Sequence, residues 1–557
     1  MKRRDKAQYL AITLVALAAS IACGKKGSDS GDAPDPASLI ADTGFRPNKH
    51  GFPFKNTGGN FPRTPGLVDA NVMTKLFGKE ACVGGNAARC KLTPPATEWM
   101  GMINRAMNGG QCEGMAVSSL TFFQNIDSPA KHSPTAKSAH DLQHRQVSPL
   151  IGYYWAWQAV DPMMRETVLE RRRTAPADVV DRLAQMMKQN QMATIAIWAP
   201  RPQRGGHAVT PYAIENKGNN EYWVRIYDNN YPDTERYIVI DKNANTWRYD
   251  VAALNPSVPK MPWYGDAESR SIAILPVATR LKKADCPFCK TTKGKTVVPR
   301  GAALNISDPD GKKLGYDDGG KLINEIPGAD VVDLTAFLED AEAPEPIFIL
   351  PDDDKDYEIT VADPKVKAKP AEGDDDDTDD NASVAIFSGG TAIAVGKSQR
   401  DAGQKDTISL SKDGFRYRTA NGKVPKLRLA LDDDKEGVAV GVKNMKADAD
   451  DEVELKMDRK SGRVTVQGGG KSTDSYDLKI KKVKEDGDDD EVEAKGVKFK
   501  LGDSHSINVR APMKPHAKGA PAAAPAIEKG KFVPRLKPKP QKADPEHDDK
   551  NPGDDRK

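Results

Sequence analysis

The chain has 557 residues, of which 38% are hydrophobic and 29% charged, and its 83 Lys and Arg nearly balance its 80 Asp and Glu. At roughly 150 residues per domain, this length predicts three or four domains. The net charge of +3 excludes a strongly basic nucleic-acid-binding protein, and a mean hydropathy of −0.63 excludes a protein with many membrane spans. Six cysteines exclude a disulfide-dense scaffold. All seven Trp lie between Trp99 and Trp263, which predicts one compact, enzyme-like region followed by polar modules.

The amino terminus has the organisation of an export signal. Basic residues precede an apolar run, residues 9–22, that is too short to cross a bilayer as a helix. Cys23 follows small residues and precedes a polar stretch, so residues 1–22 resemble the signal peptide of a bacterial lipoprotein, whose cysteine is lipidated. Ser20 departs from that motif, which usually has an apolar residue there. We expect a membrane-anchored lipoprotein facing the periplasm or the cell surface, or a secreted protein if Cys23 is not lipidated.

Composition divides the rest of the chain into a mixed region, β-rich regions and polar connections. Helical periodicity between 168 and 192, broken by Pro176, predicts two helices, and buried strands are predicted at 194–198, 208–214 and 222–227. The predicted units are a flexible linker at 23–44, a mixed α and β domain at 45–290, a small β-sandwich at 296–363, an acidic linker at 364–382, an antiparallel β-domain at 383–510 and a disordered Pro/Lys/Asp-rich tail at 511–557.

The segment around Cys112 carries the first chemical signal. Gly109 and Gly110 lie just before the cysteine, and an apolar helical pattern follows it as far as Phe123. This arrangement predicts that Cys112 lies at a junction between a loop and a helix. The exposed N–H groups and the dipole of a helix start stabilise a thiolate, which is the nucleophilic form of the side chain.

Two later segments supply a base and an acid. A pair of glycines precedes His207, which opens an apolar strand, and another predicted strand runs into Asp228 and Asn229. A nucleophile needs a base, and the base needs an acceptor that fixes its tautomer. Cys112, His207 and either Asp228 or Asn229 supply these three roles in that order along the chain.

These segments resemble the papain-like cysteine peptidase superfamily over roughly residues 45–280. The resemblance implies an α+β domain in which a helical subdomain packs on an antiparallel sheet, with the site in the cleft between them. It assigns Cys112 as the nucleophile, His207 as the general base and Asp228 as the orienting acid, with Asn229 second. It also implies a thiol hydrolase that acts on peptide or amide bonds of a peptide or protein substrate and needs no cofactor or metal.

One position departs from the family pattern. Papain-type enzymes carry a glutamine of the oxyanion hole several residues before the cysteine, whereas Ala106 is found six residues before Cys112. The candidate oxyanion donors are therefore Gln111 and Asn108, together with the backbone N–H of Cys112. Amidase or transferase chemistry through the same acyl-enzyme is also compatible with this pattern.

The other cysteines form two short-range pairs. Cys82 and Cys90 enclose a short loop suited to a disulfide. Cys286 and Cys289 form a CxxC pair, which is typical of a redox motif, of half a zinc site or of a local disulfide. Because a second CxxC pair and a thioredoxin-like βαβ pattern are missing, we predict a disulfide.

The remaining polar clusters are interpreted as solvated. His132, His140 and His144 lie in a polar stretch and are predicted to be loop residues, although the spacing of the last two also allows weak metal binding. Runs of aspartate are predicted to be loops, with calcium binding as the alternative. The competing functional hypothesis is a non-catalytic cell-envelope lipoprotein whose peptidase-like and β domains bind a protein or surface partner. The expected partners are a peptide or protein substrate and a membrane, reached through the lipid anchor at Cys23, but no nucleic acid.

Overall fold

The structure, a computed structural model, describes most of the chain after its first 35 residues. The described residues are 36–56, 67–200, 205–255, 259–336, 344–363, 382–397, 400, 403–411, 413–433, 436–445, 447–468, 475–486, 489–499, 503–509 and 527–531. The predicted export signal (1–22), Cys23 and almost all of the predicted acidic linker lie outside them.

The helices of the described residues all precede the second strand. They are α1 (Pro47–His50), α2 (Ala70–Phe77), α3 (Pro94–Ala106), α4 (Cys112–Phe123), α5 (His144–Ala156), α6 (Met163–Arg173) and α7 (Pro176–Lys188). The predicted division at Pro176 is confirmed, because this proline opens α7, where its missing N–H costs no hydrogen bond. In the described part of the chain, no helix combines the length and the apolar character needed to cross a membrane.

An antiparallel sheet, here called the site sheet, follows the helices. Its strands are β1 (Leu39–Asp42), β2 (Ala193–Trp198), β3 (Gly206–Gly218), β4 (Glu221–Tyr227), β5 (Glu235–Asp241), β6 (Thr246–Asp250), β7 (Pro262–Asp266) and β8 (Ile272–Pro276). The spatial order is β7-β6-β5-β4-β3-β2-β8, and β1 pairs with β3. The strands predicted at 194–198, 208–214 and 222–227 are confirmed as parts of β2, β3 and β4.

The rest of the described chain forms two further antiparallel sheets. Their strands are β9 (Lys295–Pro299), β10 (Ala303–Ser307), β11 (Lys313–Tyr316), β12 (Leu322–Asn324), β13 (Asp330–Val332), β14 (Ile347–Leu350), β15 (Glu358–Ala362), β16 (Ala382–Ser388), β17 (Thr391–Gly396), β18 (Asp406–Ser411), β19 (Gly414–Arg418), β20 (Leu427–Asp433), β21 (Glu436–Lys443), β22 (Glu452–Asp458), β23 (Arg463–Gly468), β24 (Ser475–Lys484), β25 (Asp490–Lys498), β26 (Asp503–Asn508) and β27 (Ile527–Lys531). The inner sheet has the order β13-β14-β9-β16-β17-β20-β21-β24-β25, and the outer sheet has the order β12-β11-β10-β15-β18-β19-β22-β23-β26-β27.

Three apolar cores stack these elements into five layers. Helix α7 packs on one face of the site sheet, and α2 to α6 lie between its other face and the inner sheet. The inner and outer sheets share a separate core that is built from alternate residues of their strands, as in a β-sandwich. An ion pair of 2.8 Å between Arg428 of β20 and Glu98 of α3 joins the sandwich to the helices.

The β-rich character predicted for the second half of the chain is confirmed, but its division into two modules is wrong. Strand β15 pairs with β18, and β9 pairs with β16, so residues 296–363 and 383–510 build the same two sheets. The first segment alone would leave β9 and β15 as unpaired edges, and the second segment covers both of them.

Two segments that were expected to lack structure contain strands. Strand β1 lies at the end of the predicted linker 23–44 and pairs with β3. Strand β27 lies within the predicted disordered tail 511–557 and pairs with β26. In both cases a neighbouring strand supplies the hydrogen bonds, which the local composition does not reveal; the rest of the predicted tail lies outside the described residues.

Both predicted disulfides are confirmed. Cys82 is bonded to Cys90 in the turns that follow α2, and Cys286 is bonded to Cys289 just before β9. Among the described residues, Cys112 is the cysteine that remains free.

Helix α4 has almost no solvent-exposed surface, and its packing provides a test of the fold. At Gly114, a Cβ atom would overlap the carbonyl oxygen of Ile151 on α5. We predict that Gly114→Ala lowers the free energy of unfolding by about 1–3 kcal/mol, the usual cost of overpacking. Urea denaturation measures the change.

Gly101 on α3 is the matched control. A Cβ atom there would come within 3.2 Å of only the flexible end of the Arg105 side chain. Gly101→Ala is expected to raise stability by up to about 1 kcal/mol, because alanine has the higher helix propensity. A Gly114→Ala protein as stable as the Gly101→Ala protein would show that α4 and α5 are not packed this closely.

Candidate active site

The chain before α4 fixes Cys112 at the first position of the helix, as predicted. Gly110 takes a φ of +122°, which favours glycine, and its carbonyl oxygen accepts a 3.0 Å hydrogen bond from the indole N–H of Trp155. Gln111 is the N-cap, and every residue from Cys112 to Phe122 is buried. A helix buried on all sides cannot rotate to another face, so the thiol has a fixed place in the core.

The hairpin of β3 and β4 brings the base and the acid together. His207 is the second residue of β3, and Asp228 directly follows β4. Because Thr210 is paired with Tyr227, Asp228 lies beside the start of β3. The imidazole Nε2 of His207 is 2.8 Å from Oδ1 of Asp228.

Cys112 completes a line of three side chains. The Cys112 side chain is close enough to His207 to raise the pKa of the imidazole. The backbone N–H of Ala208 also points at the Cys112 sulfur, at 3.4 Å. The structure thus brings together the three residues that the sequence singled out, and the side chains of all three are 0% exposed.

Burial opposes charge at His207 and Asp228, but the two groups stabilise each other. Desolvation favours a neutral imidazole, yet the Asp228 carboxylate and the Cys112 side chain outweigh it and raise the pKa of His207 well above its usual value. Desolvation likewise opposes the carboxylate, but His207, the Arg236 guanidinium and the Tyr249 hydroxyl lower the pKa of Asp228. The geometry therefore favours an imidazolium–carboxylate pair.

The surroundings of Asp228 hold its carboxylate in place. The Tyr249 hydroxyl donates to Oδ2, and the backbone N–H of Asn230 donates to Oδ1 at 2.8 Å. Arg236, which is fully buried, lies over the Tyr249 ring at 4.9 Å and supplies a nearby positive charge. These contacts fix both carboxylate oxygens, so the imidazole beside them has one orientation.

Asn229, the alternative candidate for the residue that orients His207, forms other hydrogen bonds. Its Nδ2 donates to the carbonyl oxygens of Cys112 and Ala208, at 3.0 and 3.1 Å. It therefore ties the start of α4 to β3, and it is Asp228 that contacts the imidazole.

The two candidate oxyanion donors are placed differently. Asn108 is exposed on the turn Met107–Gly109, whereas Gln111 is buried beside Cys112. The Oε1 of Gln111 lies 3.1 Å from Nε2 of His144. The amide Nε2 of Gln111 has no hydrogen-bond partner among the described residues. Gln111 is thus the candidate whose amide is held next to the thiol with a donor to spare.

The prediction of solvated histidines is wrong for His144. This residue opens α5 and is 5% exposed, and burial lowers its pKa, so a neutral ring contacts Gln111. His140 and His132 are partly exposed and contact Asp233 and Asp127, at 2.7 and 2.9 Å. The rings of His144 and His140 contact different partners, and among the described residues no group of three or more His, Cys, Asp or Glu side chains is placed to hold a metal ion.

Sequence reasoning missed three further residues around the site. Asn56 accepts the Gln111 N–H at 2.6 Å and donates its own N–H to the Asn229 carbonyl at 2.7 Å. Glu113, next to Cys112, forms a fully buried ion pair with Arg280, which anchors the first turn of α4. Of these residues, only Glu113 could have been noticed in the sequence, because it is a charged residue inside an apolar helical pattern. A carboxylate buried in this way needs a cation as its partner.

A large cavity lies close to the site without including the triad. Its volume is about 1250 Å³, and its walls include Arg171, Trp198, Gly205 and Leu334. Cys112, His207 and Asp228 do not line it. Cys112 is 0% exposed in this conformation, so access to the thiol needs a movement of the surrounding chain.

The His207–Asp228 pair predicts how stability depends on pH. Folding lowers the pKa of Asp228, so its contribution to the free energy of unfolding is lost as the pH falls below its pKa in the unfolded chain, about 4. Folding raises the pKa of His207 to about 10, so its contribution is lost as the pH rises from about 6.5 towards 10. Asp228→Asn should therefore cost most between pH 4 and 6.5, about 3 kcal/mol by urea denaturation, and less at pH 9.

Asp181→Asn is the control for this measurement, because Asp181 is exposed and pairs only at the surface with Lys242. Its effect should stay below about 1 kcal/mol at every pH. A cost of Asp228→Asn that is equally small, or that is constant from pH 5 to pH 9, would contradict a buried ion pair.

The chain was compared with models of protein families, with curated proteins and with solved structures, and none of them matches it. The functional assignment that follows therefore rests on the residues and on the geometry described above.

Proposed function

We propose that this protein is a papain-like thiol hydrolase that cleaves peptide or amide bonds. One observation carries the proposal: His207 hydrogen-bonds Asp228 and interacts with Cys112 within a fully buried cluster, in which the N–H of Ala208 also contacts the Cys112 sulfur. A structural cysteine needs only apolar neighbours. A cysteine joined through an imidazole to a fixed carboxylate is the arrangement that activates a thiol.

The first step is activation and attack. His207 accepts the Cys112 proton and holds it as imidazolium, since Asp228 stabilises that charge. The thiolate at the start of α4 attacks the carbonyl carbon of the substrate, and a carbon–sulfur bond forms as the carbonyl oxygen becomes an oxyanion. The free Gln111 amide N–H and the backbone N–H of Cys112 are the donors for that oxyanion.

The second step releases the two products. The imidazolium returns its proton to the leaving amine as the carbon–nitrogen bond breaks, which leaves a thioester on Cys112. Water then loses a proton to His207 and attacks the thioester, so the acid is released and the thiol is restored. Asp228 stays ionised throughout and keeps the ring in place.

We also propose that the enzyme works outside the cytoplasm and is anchored through a lipid on Cys23. The amino-terminal sequence is the ground for this proposal, and the two disulfides support it, because such bonds persist in oxidising compartments. The tether between Cys23 and the first described residue is rich in Gly, Ser, Asp and Pro and would hold the enzyme at a distance from the membrane surface.

Cys23→Ala tests the anchor. The full chain is expected in the membrane fraction of a bacterial host and should incorporate an alkyne-labelled fatty acid, whereas the variant should do neither. Cys82→Ala, which removes a cysteine without touching the anchor, is the control. Equal membrane association of the Cys23→Ala and full-length proteins would contradict the proposal.

The competing function is a non-catalytic binding protein, and one observation favours it. The Cys112 thiol is 0% exposed, so no substrate reaches it in this conformation. A protein that only binds partners would keep the triad as a buried structural network. The two functions differ in whether the thiol reacts as a thiolate that depends on His207.

Alkylation of Cys112 by iodoacetamide, followed by mass spectrometry of the modified peptide, separates the two functions. In the wild-type protein we predict measurable alkylation of Cys112 at pH 7, because His207 is placed to accept the thiol proton. In His207→Ala this base is missing, so the rate of alkylation at pH 7 should fall at least about tenfold.

His132→Ala is the matched control, since His132 contacts Asp127 and not the triad. It should react like the wild-type protein, and Cys112→Ala should show no modified peptide. Equal rates in the wild-type and His207→Ala proteins from pH 6 to pH 8 would contradict the proposed function.

A further inference from the structure

One edge of β3 carries the thiol contact of Ala208 and the backbone groups of Gly206, and on this edge the Ala208 carbonyl oxygen accepts from the Asn229 side chain. The carbonyl oxygen of Gly205 accepts a hydrogen bond from the N–H of Ala199, the residue after β2. The backbone N–H and C=O groups of residue 205 and of every second residue after it therefore point towards β2. Gly206 and Ala208 therefore face the opposite side, and the N–H of Ala208 points at the Cys112 sulfur there. Strand β4 begins to pair on that side only from Thr210 onward.

A short segment of the sandwich region occupies this edge. Residues 333–336, here called the occluding segment, follow β13, and Ala336 forms an antiparallel bridge with Gly206. The approach is close, because a Cβ atom at Gly206 would lie 2.6 Å from the carbonyl oxygen of Leu334. The glycine before His207 thus makes room for the backbone of the segment.

Side chains of the helices hold the occluding segment in place. The Gln158 Oε1 accepts from the N–H and the hydroxyl of Thr335, at 2.7 and 2.6 Å, and its Nε2 donates to the Thr335 carbonyl at 3.2 Å. Arg171 on α6 pairs with Asp333 at 2.5 Å. Both Gln158 and Thr335 are buried, so these bonds act in a low-dielectric setting.

The bridge between Gly206 and Ala336 lies close to the thiol along the strand. Gly206 and Ala208 are two residues apart along the strand, which is about 7 Å. An extended backbone paired with Gly206 therefore continues directly towards the sulfur that Ala208 contacts. Adding a strand to a free sheet edge is a general way to bind an extended peptide.

We propose that the Gly206–Ala208 edge is the binding site for the extended backbone of a peptide substrate, and that residues 333–336 fill it in a self-inhibited state. This inference rests on the proposed thiol hydrolase function. It accounts for a complete triad that is closed to solvent. It also narrows the substrate class to extended peptides with small or apolar side chains at alternate positions, because Leu334 and Ala336 are the buried occupants.

Space for release of the segment exists beside it. The cavity of about 1250 Å³ is lined by Asp333 and Leu334 of the segment region and also by Trp198 and Gly205 of the site sheet region. The occluding segment belongs to the same chain, so it competes with a free peptide for the Gly206–Ala208 edge at an effective concentration in the millimolar range. A free peptide should therefore displace the segment only when its contacts with Gln158 and Arg171 are weakened.

The test uses the full chain and two release variants, Asp333→Ala/Thr335→Val in the segment and Arg171→Ala on α6. Arg165→Ala is the matched control, because Arg165 lies on the same helix but pairs with Asp161, which lies just before that helix. The probe is an epoxysuccinyl peptide, and the readout is its rate constant at Cys112. Hydrogen exchange of the amides at 333–336 shows directly whether the segment is released.

We expect both release variants to react at least about tenfold faster than the wild-type protein, with faster exchange at 333–336, and Arg165→Ala to remain unchanged. Faster exchange without faster labelling of Cys112 would overturn the proposal, as would slow exchange in both variants. The proposed function has a separate readout, namely the loss of labelling when His207→Ala is added to a release variant. Labelling that is accelerated by release but is independent of His207 would keep the occluding segment and reject the hydrolase.

Discussion

The contact between the His207 imidazole and the Asp228 carboxylate, with neither side chain exposed, is the constraint on which the site depends. Burying two charges is costly unless each is paired and hydrogen-bonded. Tyr249 and Arg236 meet this demand on the side of Asp228, and Cys112 meets it on the side of His207. The ring is thereby held between the thiol and the acid, which is the arrangement that acyl-transfer chemistry requires.

The β-sandwich is part of this arrangement, since the helices lie between it and the site sheet and it contributes the segment against Gly206. The Arg171–Asp333 and Arg428–Glu98 ion pairs fix the sandwich against the helices at separate places. The β region, which the sequence predicted to form separate modules after the mixed domain, therefore reaches the edge of the strand that carries His207. This contact between the two halves of the chain is the basis for the proposed regulation of the triad by the sandwich.

The sequence predicted the parts of the site that have local signals. Cys112 after two glycines and His207 after two glycines are local patterns, and the structure brings them together with Asp228. The burial of His144 and the pairing of β9 with β16 had no such signal, because each depends on a partner far away in the chain. Local composition indicates only which secondary structure a segment favours by itself. The burial of His144 and the pairing of β9 with β16 depend instead on other segments that cover a side chain or a strand edge.

The decisive measurement is the protonation state of His207, followed by ¹⁵N NMR of the imidazole in the native protein. We expect an imidazolium at pH 7 to 8, since Asp228 and Cys112 raise the pKa of His207, and a lower pKa of His207 in Cys112→Ala. A neutral imidazole at pH 7 with the same titration in both proteins would contradict it, because the histidine would then be coupled neither to the carboxylate nor to the thiol.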